Sequence, residues 1–184
     1  MTTVEILKSR LAGDGIEAAP TADGMPTISV RLDRLVDACF LLRDAPELGF
    51  SVLLDAIPID RFPREPRFEI SYLLLNPGGA GAPAARLRVK VQVGGREPRV
   101  PTLSNVWLSA NWAEREAYDF FGIQFDNHPD LRRILMPEDW EGFPLRKDYP
   151  VQIKAPVKTY EPLQVTEEEF VANIEATRDR ARKG

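Results

Sequence analysis

Beyond Gly122 the chain cannot hold long regular structure, because prolines recur at 129, 137, 144, 150, 156 and 162, one every six to eight residues. Each proline removes a backbone N–H, fixes its own φ and pushes the residue before it away from the helical region, so neither a long helix nor a central strand fits between them. The spacing therefore confines a layered core to residues 1–122. Phe125, Trp140, Phe143, Tyr149 and Tyr160 are interleaved with these prolines, and a solvated tail is usually poor in such residues. The expectation is an extended, Pro-rich arm over residues 123–165, laid over another protein. Pro129 to Leu135 should make a turn or two of helix, with Pro at the first helical position and Asp130 beside it. Residues 166–184 form a terminal helix and tail, opened by Thr166 and Glu169 at capping-box spacing.

Upstream, hydrophobic spacing sets the elements. Thr2 and Glu5 are placed to cap a short helix carrying Val4, Leu7 and Leu11 on one side, with Gly13 to end it. Residues 16–19 and 27–30 flank a turn at Asp23-Gly24. From Leu32 the period is helical, with Leu32, Leu35, Val36 and Cys39 on one stripe. Residues 50–59 and 67–75 are apolar on both faces in places, as central strands are, and Pro58, Pro63 and Pro66 mark the connection between them. Residues 86–93 alternate, placing Leu87, Val89, Val91 and Val93 inward and basic residues outward. Between these last two strands, residues 76–83 read as a hairpin loop. Ala110 to Phe121 forms a helix stopped by Gly122; on its wheel Glu114 and Glu116 flank the apolar arc, and Arg115 and Asp119 lie on the far side. The order implies an α+β fold: a two-layer domain with a mixed sheet and helices on one face, followed by the arm.

Composition then restricts function. A lone Cys39 forbids an internal disulfide and any cluster held by cysteines of this chain alone, and a lone His128 does not make up the ligand deficit. With 28 acidic against 24 basic residues and a net charge of −4, no cationic excess is available to displace counterions from a nucleic acid. No apolar run approaches the ~20 residues of a membrane span, and the first residues lack a targeting pattern. The expectation is a soluble chain without a membrane span that can still dock on a membrane-bound assembly.

Local chemistry offers a few candidate sites. Glu114, Glu116 and Asp119 could be paired carboxylates of an autonomous hydrolase with His128 as base. However, Glu114 and Glu116 point about 160° apart on one helix and cannot converge on one bond. Arg132-Arg133 and Arg146-Lys147-Asp148 are too mixed for a nucleic-acid patch and suit ion pairs. Cys39 reads as a core residue.

The segment from Trp112 to Pro150 narrows this further. Glu114-Arg115-Glu116, Asp119-Phe120-Phe121-Gly122-Ile123, His128-Pro129-Asp130-Leu131-Arg132-Arg133-Ile134-Leu135, Pro137-Glu138-Asp139-Trp140 and Pro144-Leu145-Arg146-Lys147-Asp148-Tyr149-Pro150 together resemble the C subunit of the proton-translocating NADH:quinone oxidoreductase, respiratory complex I. Phe143 departs from that pattern, which has Gly-His-Pro where this chain has Gly142-Phe143-Pro144. A proton-handling role there is replaced by packing. The resemblance implies a non-redox scaffold subunit in the hydrophilic arm of a hetero-oligomer, on the cytoplasmic side of the bacterial cell membrane. It implies docking chiefly to the D subunit near the quinone site, among other hydrophilic-arm subunits. FMN, Fe-S clusters and quinone would belong to the complex, with no catalytic, cofactor or metal site in this chain. Related subunits also serve membrane-bound hydrogenases and other donor-linked quinone reductases. The interface, or its internal bracing, would draw on Glu114, Arg115, Glu116, Asp119, His128, Arg132, Arg133, Arg146, Lys147 and Asp148, with Trp140, Phe143 and Tyr149 as aromatic anchors.

Overall fold

The computed structural model describes residues 2–11, 15–79, 83–150, 166, 168–172 and 174–175. Residues Met1–Tyr149 form one unit and Pro150–Gly184 a second.

The first unit begins with helix α1 (Thr3–Leu11), whose Thr2 and Glu5 cap each other as their spacing requires. Strands β1 (Ile16–Ala18) and β2 (Thr27–Val30) follow, then helix α2 (Leu35–Asp44). Strands β3 (Val52–Asp60), β4 (Phe68–Asn76) and β5 (Ala85–Val93) come next, then β6 (Arg99–Pro101), helix α3 (Ala110–Phe121) and β7 (Gln124–Asp126). Five strands form one sheet in the order β1-β2-β5-β4-β3. Within it only β2 and β5 run parallel, so the sheet is mixed and the fold is α+β.

Register follows from alternation. Phe68, Ile70, Tyr72 and Leu74 stand opposite Val93, Val91, Val89 and Leu87, and all eight are buried. Burying a side chain of this size is worth about 1.5–3 kcal/mol, so a one-residue slip, which would place the whole set on the other face, is strongly disfavoured. Leu35, Ala38, Cys39 and Leu42 supply the core stripe of α2. Cys39 and Leu42 of α2 and Ala110 and Ala117 of α3 share one buried core cluster with Tyr72, Ile70 and Val89, so both helices pack on the Tyr72 face.

Three sequence expectations change. Pro58 lies inside β3 rather than in the connection; β3 is an edge strand, where a missing N–H is tolerated. Residues 129–135 form turns and bends, not helix, and the N–H groups of Ile134 and Leu135 bond to a side chain of α3 instead of to their own segment. The first unit also continues to Tyr149, past the expected boundary at Gly122. Residues 124–126 pair in parallel with 99–101 as a two-stranded sheet that periodicity did not reveal, and 127–149 fold back over α3. Of the expected arm, residues 151–165 lie outside the described residues, as do Gly13 and residues 80–82 of the expected loop. In the second unit, Thr166 and Glu169 make the capping box, and residues 168–172 are helical.

Candidate functional site

Helix α3 ends on Gly122, whose φ of 68° is the left-handed conformation that closes a helix, with its N–H on the Tyr118 carbonyl. The chain then returns along the helix and is held there by a clasp of charged side chains. Asp119 is fully buried. Its Oδ2 accepts the backbone N–H groups of Ile134, Leu135 and Met136 at 2.8–3.1 Å, and its Oδ1 accepts Arg133 Nη1 at 2.7 Å. Burial alone would raise this carboxyl. The N–H donors of Met136 and Leu135, the Arg133 guanidinium and the Ile134 N–H outweigh it and hold the pKa below the ordinary carboxylate value.

Arg133 also donates to the Trp140 and Gly142 carbonyls, and Arg115 donates to the carbonyls of Arg132 and Arg133. The Phe143 ring meets two guanidiniums, Arg133 at 5.4 Å and Arg146 at 4.7 Å from its centroid, a double cation–π arrangement. Arg146 reaches on to the Phe121 carbonyl at 2.6 Å, at the end of α3. There a guanidinium answers the orphaned carbonyls and the negative end of the helix dipole.

Farther on, Arg67 binds two carboxylates with one guanidinium. Nε and Nη2 meet Asp60, and Nη1 and Nη2 meet Asp148, at 2.6–3.0 Å. Burial works against the Asp60 charge, but Arg67 and the N–H groups of Lys147 and Phe62 bring its pKa to about 2. Asp148 is lowered chiefly by Arg67. Residues 146–148 are thereby fixed to the β3–β4 hairpin.

Glu114 is different. Its carboxylate is fully buried, accepting Thr102 Oγ1 at 2.5 Å and Leu103 N at 2.7 Å. No cation among the described residues neutralises it at hydrogen-bond distance, and burial pushes its pKa up to about 7 against these two donors. His128 Nε2 lies 3.9 Å away but is 3.1 Å from the Asn111 carbonyl, while Nδ1 accepts the Asp130 N–H. Those partners fit a neutral ring protonated on Nε2. Both ring nitrogens are thus engaged, and Cys39 is buried with its thiol pKa raised by burial. Neither offers itself as a metal ligand. Among the described residues no three His, Cys, Asp or Glu side chains are grouped to hold a metal ion.

Most of the expected site residues therefore meet one another. Glu114, Arg115, Asp119, Arg133, Phe143, Arg146 and Asp148 brace the unit internally, and His128 latches residues 128–130 to α3. Glu116 is exposed and does not join Glu114; the Lys147 side chain is also exposed. The helical wheel put Arg115 and Asp119 on the outward side, yet Asp119 is fully buried and Arg115 nearly so. The returning chain covers that side, which a wheel cannot show. Sequence reasoning missed Asp60, Arg67 and Thr102. The first two lie more than 80 residues from the 147–148 positions they bind, and no local spacing signals such a bond. It also missed the large apolar side chains left around the clasp: Leu108, Trp112, Leu135 and Leu145 are each more than half exposed.

Comparison with known proteins adds a family. The family model described as "Respiratory-chain NADH dehydrogenase, 30 Kd subunit" matches residues 28–155. The C subunit of the NADH-quinone oxidoreductase of Roseiflexus castenholzii is 50% identical over 125 residues, 68% of this chain and 70% of that protein. Its counterpart from Roseiflexus sp. strain RS-1 is 45% identical over 150 residues, 82% of this chain and 83% of the other. Among solved structures, the trypsin-resistant fragment of Nqo5 matches with a TM-score of 0.60 at 31% identity, covering 71% of this chain and 100% of the fragment. A chain of the membrane-bound sulfane sulfur reductase, an archaeal respiratory membrane complex, matches with a TM-score of 0.66 over 80% of this chain and 84% of its own. At 22% identity, that likeness shows the fold alone.

Proposed function

The chain belongs to the family of respiratory-chain NADH dehydrogenase 30 kDa subunits, and from that premise we propose that it is a non-redox scaffold subunit of an NADH:quinone oxidoreductase. It docks chiefly to the D subunit near the quinone site, within the hydrophilic arm on the cytoplasmic side of the cell membrane. The complex carries electrons from NADH through FMN and Fe-S clusters to quinone, coupled to proton translocation, and those groups are held by other subunits. No described helix is long and apolar enough to cross a membrane, and attachment goes through partners.

One observation carries this reading. Arg115, Asp119, Arg133, Arg146 and Asp148 of the family-like segment spend their polar atoms on other residues of this chain and on its backbone, as Asp119 does on three N–H groups and Arg133. Chemistry on a substrate needs such groups presented to it; a scaffold needs them locked. Among exposed charged groups such as Asp130, Arg132 and Lys147, the unit also leaves Leu108, Trp112, Leu135 and Leu145 more than half exposed, and apolar anchors of this kind fill a partner's pockets at an interface. The relatives between 45% and 50% identical are named for NADH as donor, which favours that complex over a hydrogenase-type assembly. The purified chain is expected to be colourless and unable to reduce a quinone analogue with NADH. Flavin or iron bound one-to-one with the chain would overturn the scaffold role.

A further inference from the structure

Helices α2 and α3 cover the Tyr72 face of the main sheet, and the strand register maps the other face. There Val52, Ile57 and Ile59 of β3 lie beside Leu75, Ser71 and Glu69 of β4, and these beside Arg86, Lys90 and Gln92 of β5. A sheet with one solvated face normally shows polar side chains on it. Here the outer row of β3 is apolar except for Asp55, with Val52 38% and Ile57 and Ile59 each 40% exposed, and Leu73 and Leu75 adjoin it on β4. The strand's free edge is blunted by the irregularity between Leu53 and Asp55 and by Pro58, which has no N–H to offer. Both features discourage pairing with another strand. The face, not the edge, is what a partner can use.

Beside the apolar strip the charge is mostly positive. Arg86 is exposed and makes no ion pair among the described residues. Arg61 and Lys90 share the single carboxylate of Glu69, at 2.6 and 3.2 Å, leaving one positive charge over. Arg88 engages Asp23. Asp55 is the one acid within the outer row of β3. We propose that this outer face is a second docking surface, taking an apolar ridge of another subunit flanked by carboxylates that answer Arg86 and the Arg61–Glu69–Lys90 group. The inference rests on the scaffold reading above and deepens it: the chain bridges two partners, one at the clasp and one at the sheet.

The test uses the full tagged chain, free and in the complex purified with mild detergent. Cys39 is the only cysteine and is buried, so Ile57→Cys and Trp112→Cys each introduce the one accessible thiol of this subunit, read by its mass shift. Both should label with maleimide in the free chain and at least about 10-fold more slowly in the complex, as groups inside a water-excluding contact do. In the complex carrying Arg86→Lys, a carbodiimide should join the new amine to an Asp or Glu of a different subunit. Protection of Trp112→Cys with Ile57→Cys labelling as fast as in the free chain would overturn the second surface alone. A carbodiimide product only with another copy of this chain would overturn the heterologous partner. Failure of the wild-type chain to bring any respiratory subunit with it would remove the scaffold reading and this inference together.

Discussion

At the scale of residues, two buried acids on one helix have their pKa values moved in opposite directions because their donors differ. Asp119 meets three N–H groups and a guanidinium, and stays ionised. Glu114 meets one N–H and one hydroxyl, and its pKa rises to about 7. Losing a charge-assisted network of the first kind costs about 3 kcal/mol. Asp119→Asn should therefore lower the melting temperature by about 6–12 °C in a chain of this size, measured by calorimetry on the purified protein. For Glu114 the folded pKa lies above the ordinary value of 4.5, so the folded state holds the proton more tightly. The stability this gives is fully present below about pH 4.5 and is lost as pH rises through about 7. Denaturant titrations between pH 5 and 8 should show wild-type stability falling with pH, with Glu114→Gln flattening that slope. An unchanged slope would show that this carboxyl is not what titrates. Asp60 and Asp119 act the other way, since their lowered pKa values contribute stability that is lost only as pH falls through the acid range.

At the scale of elements, the junction between α3 and the returning chain is where the sequence was least legible. The helix itself, its stop at Gly122 and the inward residues of β5 were readable because periodicity and a left-handed glycine are local signals. The fold-back was not, since proline spacing excludes a long helix or central strand over 123–149 but does not say what those residues lie on. Bonds such as Arg146 to the Phe121 carbonyl and Arg67 to Asp148 join positions far apart in the chain. Gly122 shows how tight the junction is. A Cβ there would clash with the Phe143 ring, and its φ of 68° also disfavours other residues. Gly122→Ala should destabilise by about 2–4 kcal/mol from overpacking and backbone conformation together. Phe143→Ala should destabilise by itself, through loss of the ring that meets two arginines. The double variant should be less impaired than the sum of the two singles, because removing the ring clears the clash. Strict additivity in chemical denaturation would argue that the ring does not press on Gly122.

At the scale of the whole molecule, the α+β fold and the family were both legible, for different reasons. Alternation in residues 86–93 and the helical period of 110–121 dictate a sheet with helices on one face. The family showed in the order of charged, aromatic and proline positions between Trp112 and Pro150, which physical reasoning on single residues could not assemble. The resulting picture is a unit in which a group of charged residues around α3 locks the chain in place, while a few large apolar side chains outside the core stay exposed. The most direct test is purification of the tagged full chain from its native membrane in mild detergent, with every accompanying protein identified and NADH:quinone reductase activity measured. Recovery of the quinone-site and NADH-oxidising subunits in equal amounts, with activity lost when Trp112→Glu abolishes their recovery, is the predicted result. Recovery of the chain alone, or with none of the respiratory subunits, would contradict it.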